Sequence, residues 1–507
     1  MNVADFIVAY LQKNGVERVF GYTGAYALPL FSALRKSDIK VTVPVHEQGA
    51  VFMADGYAKI SGKIGVVVST SGPGATNLVT GIASAYMDSV PLLIITANVP
   101  LKKLGGDNFQ EIDICNIVTP ITKYSTICKN AGDIRDILDE CLFVATSGRK
   151  GPVLLDMPFD VLTSPCDLCP EALSKNKEET VNGQDVLTVA KYLNEVKNIV
   201  CVYGGGVKDA VKEVETFNAK INAPYLVTMN AACLIKGANR LGVISAKPEK
   251  HILNALEQAD IVFAVGTRFN DKSAPDILKK KKIIQVDADA AELDKNYQTV
   301  FSAVSDAGAF LNKLLPLVDK KEAADVKAEV FAPAKTYLNV GLIAKNISDN
   351  YFGNVVFDVG SHLVKGIKYL YGQKNILLSG GLGSMGYSVP AGLGAYLALK
   401  EKSVVITGDG GFNMSAKELI TAAREKANMT VFLINDDKLS MVSALQKKQK
   451  EKVFCTEKLF ENVDYKSLAK AYGVKYLKIK GVKNLEEKIK QALDFDGVCI
   501  VDCIIKR

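Results

Sequence analysis

Short runs of apolar, mostly β-branched residues alternate with stretches of helical periodicity along nearly the whole chain. Residues 18–20, 41–45, 64–69 and 91–96 are such runs in the first third, 199–203, 225–229, 261–265 and 282–286 in the middle, and 403–407 and 429–434 in the last third. Apolar runs of this length, bounded by glycine and polar residues, read as buried strands. Between them, residues 3–13 are amphipathic, Glu47 opens a helix through Tyr57, and a small-residue helix follows Asn77. After Gly410, Ser415 with Glu418 reads as a capping box, followed by an apolar stripe of Leu419, Ile420, Ala422 and Ala423. Strands alternating with helices predict parallel sheets with helices on both faces. Two stretches break the pattern: 164–183 is polar and aperiodic, and 319–335 is charged and Ala/Pro-rich. They divide the chain into three α/β units, 1–165, 184–320 and 337–507, each a doubly wound parallel sheet. No residue-level self-similarity relates the three, so no triplication is expected.

Composition narrows the class. A length of 507 residues fits about three domains. With 48% hydrophobic and 23% charged residues, the chain can bury large cores. The net charge of +7 resides largely in lysine runs at 279–282 and 446–452, which read as solvated helix ends and loops. No nucleic-acid motif accompanies them. The ten cysteines are scattered, as reduced thiols are, and Cys166-x-x-Cys169 with only three histidines in the chain does not make a structural zinc site. No apolar run is long enough to span a bilayer, and no cleavage pattern opens the chain. A cytoplasmic protein is expected, with neither nucleic acid nor membrane as partner.

The candidate chemistry lies in the last unit. The run 403–407 ends at Gly408-Asp409-Gly410 and the run 429–434 ends at Asn435-Asp436. Strand, helix and strand make a parallel pair, so Asp409 and Asp436 both fall at carboxyl ends of strands, where open α/β sheets bind ligands. Two oxygen donors there, beside glycines that admit close backbone approach, suit a hard divalent cation holding a diphosphate.

Gly408-Asp409-Gly410, followed by 24 residues (411–434) and Asn435-Asp436, resembles the thiamine-diphosphate motif, with Asp in place of its second Asn. Upstream, 46–50 (HEQGA), 53–58 (MADGYA), 71–77 (SGPGATN), 107–111 (DNFQE), 148–158 (GRKGPVLLDMP), 266–269 (GTRF) and 379–386 (SGGLGSMG) continue the likeness in order. Taken together they resemble the acetolactate synthase branch over essentially the whole chain.

The resemblance implies a pyrimidine-binding domain (1–165), a middle domain (184–320) and a diphosphate-binding domain (337–507). Glu47 would hydrogen-bond the aminopyrimidine ring and share a proton with it, with Thr23, Gly24, Pro73 and Asn77 at the same end. Ser361, His362, Gly383, Ser384, Gly408, Gly410, Gly411, Leu439, Ser440 and Met441 would line the thiazolium and diphosphate end. Met385 would support the bent cofactor from below. Asp409, Asp436 and the Lys438 carbonyl would hold Mg²⁺. Phe109, Gln110, Lys272 and Leu445 would face substrate.

Some positions depart from the family. Ser361 replaces Gln, Ala97 replaces Gln, Phe159 replaces Lys, Lys272 replaces Arg and Leu445 replaces Trp. The last four suggest a second substrate other than pyruvate or 2-ketobutyrate. FAD, which the branch holds in its middle domain, stays open. Gly204-Gly205-Gly206, Thr228-Met229, Arg268 and Asp287-Ala288-Asp289 match its site in outline, but Gly242-Val243-Ile244-Ser245 does not. The expected activity is Mg²⁺- and thiamine-diphosphate-dependent decarboxylation of a 2-keto acid, with pyruvate as the expected donor, and transfer of the acyl anion to a carbonyl acceptor. True acetolactate synthase and a simple 2-keto-acid decarboxylase are the enzymatic alternatives, and a non-catalytic cofactor-binding paralogue is the alternative of another class. No GxGxxG follows a strand in the setting a nicotinamide oxidoreductase needs. The cofactor must bridge the first and third units, across a middle domain and two linkers. The family solves this with a two-fold dimer, so a homodimer or a dimer of dimers is expected.

Overall fold

The computed structural model describes residues 1–173, 181–271, 273, 275–321, 332–450 and 455–505; Lys272 lies outside them. The chain forms three six-stranded sheets, an α/β fold in which every strand pairing is parallel. The first contains β1 (Arg18–Tyr22), β2 (Lys40–Thr42), β3 (Gly65–Ser69), β4 (Leu92–Asn98), β5 (Tyr124–Ile127) and β6 (Pro152–Pro158), in the order β2-β1-β3-β4-β6-β5. The second contains β7 (Ile199–Tyr203), β8 (Tyr225–Val227), β9 (Arg240–Val243), β10 (Ile261–Val265), β11 (Lys282–Asp287) and β12 (Phe301–Val304), in the order β12-β11-β10-β7-β8-β9. The third contains β13 (Asn354–Phe357), β14 (Asn375–Leu377), β15 (Ser403–Gly408), β16 (Met429–Asn435), β17 (Lys475–Ile479) and β18 (Val498–Ile504), in the order β14-β13-β15-β16-β18-β17. Numbered within each sheet, the first and third share the order 2-1-3-4-6-5. The middle one follows 3-2-1-4-5-6, the order of dinucleotide-binding folds. The first and third units are thus alike in topology despite having no legible sequence repeat. Topology constrains where strands pass, not which apolar residues fill them.

The central strands β3, β4, β6, β7 and β10 are buried along their whole length, because helices cover both faces. The first helix spans Val3–Lys13 as its periodicity predicts, closed by a capping box of Asn2 and Asp5. Other elements differ from expectation. The run 41–45 pairs only over Lys40–Thr42: Pro44 has no N–H to donate, and the Val45 N–H goes to the Glu418 carboxylate instead. The run 225–229 ends at Val227, where a 3₁₀ turn over Met229–Ala231 begins. The capping box at Ser415 is absent. A helix starts at Asp409 itself and ends at Ser415, a second spans Glu418–Arg424, and the Ser415 hydroxyl turns back to the Gly411 carbonyl. Ile420 faces solvent rather than the apolar stripe. The small helix after Asn77 runs over Val79–Met87, and the helix from Glu47 continues to Ser61, where Gly62 at φ +72° ends it.

The sequence reading sets the middle domain between the first and third units, but within the chain those two pack directly on each other. The helices Glu47–Ser61 and Ser388–Leu399 lie face to face, with Gly56 against the Ala391 backbone and Gly394 against that of Met53. Their small residues (Gly49, Ala50, Ala54 and Gly56 on one, Ala391, Gly392, Gly394 and Ala395 on the other) let the backbones approach. Ser388–Leu399 is therefore buried on nearly every side, lying between its own sheet and the first unit. One hydrophobic cluster runs through both units, joining Phe52, Met53 and Tyr57 to Tyr387, Leu393 and Phe412. Among the described residues no helix is long and apolar enough to cross a membrane.

Candidate cofactor site

Two clusters form at strand ends, one on the first sheet and one on the third. In the first, Glu47 occupies the first turn of its helix, half-buried, with His46 as N-cap. The Asn77 amide donates to Glu47 Oε2 at 2.9 Å, tying the carboxylate to the turn after β3. Around it, the buried hydroxyls of Ser69, Thr70 and Ser71 have no hydrogen-bond partner. Buried polar atoms are nearly always paired, so three orphans in a row at a strand end mark a place for a polar ligand. Thr23 and Gly24 follow β1, with Gly24 packed against Thr70. Pro73 opens a short helix at the surface, and Gln110, at φ +64°, packs on Gly72. Phe109 beside it is 81% exposed.

In the second cluster, Asp409 follows β15 directly and is 1% exposed. Its Oδ1 accepts from the Gly410 N–H at 2.8 Å, and its Oδ2 accepts from the N–H groups of Asp436 (3.2 Å) and Asp437 (2.6 Å). Asp437 at φ +55° turns those two amides toward it. Burial pushes the Asp409 carboxyl up to about 6, the Asp436 carboxylate adds to the rise, and the three N–H donors oppose it. Two carboxylates sharing one corner in this way are an arrangement that a divalent cation relieves. Asp436 accepts the Ser440 hydroxyl, and Lys438 pairs with Glu457 in an isolated bridge. Among the described residues no group of three or more His, Cys, Asp or Glu gathers as a metal site. A cation here would therefore rely on two carboxylates and a carbonyl, with phosphate and water oxygens completing its shell.

The surroundings of Asp409 have the shape of a cradle. A methyl group at Gly410 would lie 2.7 Å from Leu439 Cδ2 and 2.8 Å from Met385 Cε, so a larger residue there would displace the ends of these two side chains. His362 is buried beside Gly408 and Gly360. Burial lowers its imidazole to about 4, so the ring is neutral at physiological pH. Its Nε2 and the buried Ser384 hydroxyl are unpartnered. Gly383, at φ +77°, exposes the loop tip. Gly411 packs on Asp358, and Ser361 begins a helix half-buried. Met441 and Leu445 project from the helix Ser440–Lys448 into solvent.

The four departures from the family fall in different surroundings. Ala97 is fully buried in the core of the first sheet, and Phe159 packs edge-on against Tyr26 at 6.1 Å. Leu445 alone is seen on an open rim, since Lys272 falls outside the described residues. The structure also shows carboxylates that sequence reasoning missed. Asp358, at the end of β13, accepts from the Gly386 and Ser388 N–H groups and the Ser388 hydroxyl. Its place just after a strand and before Gly360 was the available signal. Glu418, read as a cap, is 1% exposed and accepts from the N–H groups of Val45 and His46, so the third unit holds the turn that presents Glu47.

In the middle unit, the loops after β7 and β10 meet at the point where strand order reverses, and Gly206 N–H donates to the Gly266 carbonyl at 3.1 Å. Arg268 bonds the Met87 carbonyl, while Asp289 and Glu292 hold Arg149 at 3.3 and 2.6 Å. Ile244 is buried in an apolar cluster with Leu241 and Phe269.

Three family models match in order. The N-terminal TPP (thiamine pyrophosphate) binding domain of thiamine pyrophosphate enzymes matches residues 1–117, their central domain 186–314, and their C-terminal TPP binding domain 358–503. The chain belongs to the thiamine pyrophosphate enzymes. It is 35% identical to the acetolactate synthase large subunit of Lactococcus lactis, over 99% of this chain and 92% of that protein. It is 32% identical to the large subunit of Escherichia coli acetolactate synthase isozyme 2 (98% and 94% covered) and 32% identical to a probable acetolactate synthase large subunit of Methanocaldococcus jannaschii (100% and 92%). This thiamine pyrophosphate enzyme thus resembles acetolactate synthase large subunits over its full length, and its chemistry is carboligation or decarboxylation on thiamine diphosphate. The orphaned polar atoms of both clusters and the cradle at Gly410 fit that cofactor.

Proposed function

We propose that this enzyme decarboxylates a 2-keto acid, with pyruvate as the donor, and transfers the acyl unit to a carbonyl acceptor, using Mg²⁺ to hold the cofactor. The observation that carries this is the pairing of Asp409 and Asp436 at adjacent strand ends, facing a glycine cradle and an unpartnered His362 Nε2. When bound, thiamine diphosphate supplies an acidic carbon at thiazolium C2 and an electron sink for the decarboxylation. Asp409, Asp436 and the Lys438 carbonyl would hold Mg²⁺, and the Ser384 hydroxyl would donate a hydrogen bond at the diphosphate end, beside the neutral imidazole of His362. Met385 would support the ring system from below. Glu47, steadied by Asn77 and by the Glu418-anchored turn, would hold and return a proton at the pyrimidine nitrogen. Residues 1–165 would thus serve the pyrimidine and 337–507 the diphosphate, with 184–320 between them in sequence.

Two supports bear on assembly and acceptor. Each half-site is bordered by exposed apolar side chains: Tyr22, Leu28 and Phe109 on the first unit, and Leu382, Met414, Met441, Val442 and Leu445 on the third. Apolar borders on both halves suit a homodimer, or a dimer of dimers, in which one subunit's first unit faces its partner's third. Leu445 in place of an indole leaves an apolar, roomier rim, which suits an acceptor other than a simple keto acid. The test is incubation with pyruvate, thiamine diphosphate and Mg²⁺, with and without candidate aldehydes and ketones, and product identification by mass spectrometry. Acetolactate as the dominant product regardless of acceptor would replace this reading with true acetolactate synthase. Release of the free aldehyde alone would replace it with a simple decarboxylase.

FAD should bind weakly or substoichiometrically. The charged groups at the middle sheet's crevice are already committed to one another, and Ile244 presents no polar atom. The measurement is the flavin absorbance of the purified protein after extensive dialysis. One flavin per chain would show the expectation wrong.

A further inference from the structure

The loop at 378–387 carries Ser384 and Met385, and it is held by buried groups that the proposed chemistry does not use. The Asp88 side chain, fully buried at the end of the helix Val79–Met87, accepts from the N–H groups of Gly380 (3.0 Å) and Gly381 (2.8 Å), one on each carboxylate oxygen. The Asn230 amide of the middle unit also donates to it, at 3.2 Å. Lys59 Nζ lies 3.0 Å from Asp88 and 3.0 Å from Asp55, and donates to the Leu378 carbonyl at 2.9 Å and to the Tyr387 hydroxyl at 3.1 Å. Tyr387 in turn donates to Asp55 at 2.5 Å. Ser84 meets Ser379 at 2.8 Å. At the far end of the loop, Asp358 takes the Gly386 and Ser388 N–H groups.

Both ends of the loop are therefore pinned, and the hydrogen bonds from Asp88, Lys59 and Ser84 to its front end come from the first unit of the same chain. The approach is close: side chains at Gly380 or Gly381 would collide with Asn230, Met87 or Arg268. A buried carboxylate that takes two adjacent amides and one ammonium fixes backbone more firmly than neutral contacts do, because charge-assisted hydrogen bonds are shorter and stronger. It is also costly to break, since removing one partner leaves the others buried and unpaired.

We propose that Asp88, with Lys59 as its counter-charge, is a positioning residue that sets where Met385 and Ser384 stand against the cofactor. The proposal rests on the assignment of Met385 as the cofactor's support. Asp88→Asn keeps the size of the side chain. It loses the charge and turns an NH₂ group toward one of the two amides, so one bond is lost and the loop is freed to shift. A displacement of about 1 Å at such a support costs on the order of 10²-fold in rate.

The test has three readouts. In the cofactor-free protein, amide hydrogen exchange of the peptide covering 378–387 should quicken in Asp88→Asn by more than that of the rest of the protein, alongside a lowered melting temperature. With thiamine diphosphate and Mg²⁺ bound, exchange of the C2 proton should slow and kcat should fall, with the KM for pyruvate little changed. In a Met385→Ala background, Asp88→Asn should add little further loss, because both act through one side chain. If Asp88→Asn does not fold, Ser84→Ala, which removes only the contact to Ser379 on the same loop, should show the same pattern in weaker form. Wild-type C2 exchange in whichever of these variants folds, or full additivity with Met385→Ala, overturns the positioning role alone. A Met385→Ala protein with unaltered C2 exchange overturns the assignment of Met385, and the proposal with it.

Discussion

Glu47→Gln is expected to lose at least roughly 10²-fold in turnover, the usual scale of a general acid–base contribution, while binding thiamine diphosphate nearly as well as wild type. The structure makes this substitution a clean probe. Glu47 Oε2 accepts from Asn77, and the carbonyl oxygen of glutamine can accept the same bond. The helix start survives too, because it is anchored through His46 as N-cap and through the Val45 and His46 N–H groups on Glu418. What glutamine cannot do is take up and return a proton. The deficit should therefore appear in the exchange rate of the cofactor's C2 proton, followed by NMR after acid quench, and not in the melting temperature. A Glu47→Gln protein that exchanges this proton at the wild-type rate would remove Glu47 from the proposed role.

Equal mixing of inactive Glu47→Gln with inactive Asp409→Ala is expected to restore about a quarter of wild-type activity, if subunits exchange at random in a two-fold dimer. Half of the dimers are then mixed, and one of the two sites in each mixed dimer has both an intact Glu47 and an intact Asp409. Glu47 is tied to Asn77 in the first unit, and Asp409 to the amides of 410, 436 and 437 in the third. The contact between those two units runs through the faces of the helices Glu47–Ser61 and Ser388–Leu399. Meanwhile both strand-end clusters are bordered by exposed apolar residues, Phe109 on one and Met414 and Leu445 on the other. Alanine at 409 leaves the amides of Asp436 and Asp437 without their acceptor, so the variant's melting curve must be checked first. Proven subunit exchange without recovered activity would place each site within a single chain. A fully active monomer by light scattering would do the same.

The sequence was legible where structure is local. Val3–Lys13, Ile199–Tyr203 and Ile261–Val265 end where periodicity and apolar runs end, because a helix cap or a buried strand is decided by adjacent residues. Gly408-Asp409-Gly410 and Asn435-Asp436 were readable as a paired strand-end site for the same reason: β15 and β16 are neighbours joined by a short helical connection. Legibility failed where a side chain is used far from its place in the chain. Glu418 has the spacing of a capping box, yet it bonds backbone more than 370 residues away. Pro44 signalled the early end of β2, but nothing local signals where the Val45 N–H goes.

The chain by itself determined its class, three parallel α/β sheets, and the placing of Asp409 and Asp436 at adjacent strand ends, since apolar runs and glycine-flanked aspartates carry that information in order. Only the tertiary structure decided that the first and third sheets share one strand order, and that their small-residue helices pack against each other. It also decided that Glu418 and Asp88 each cross between those units to hold the turn at Glu47 and the loop at Met385. The physical reason is that a buried carboxylate must find donors wherever the fold leaves amides unpaired, and those amides are chosen by packing in space rather than by separation along the chain.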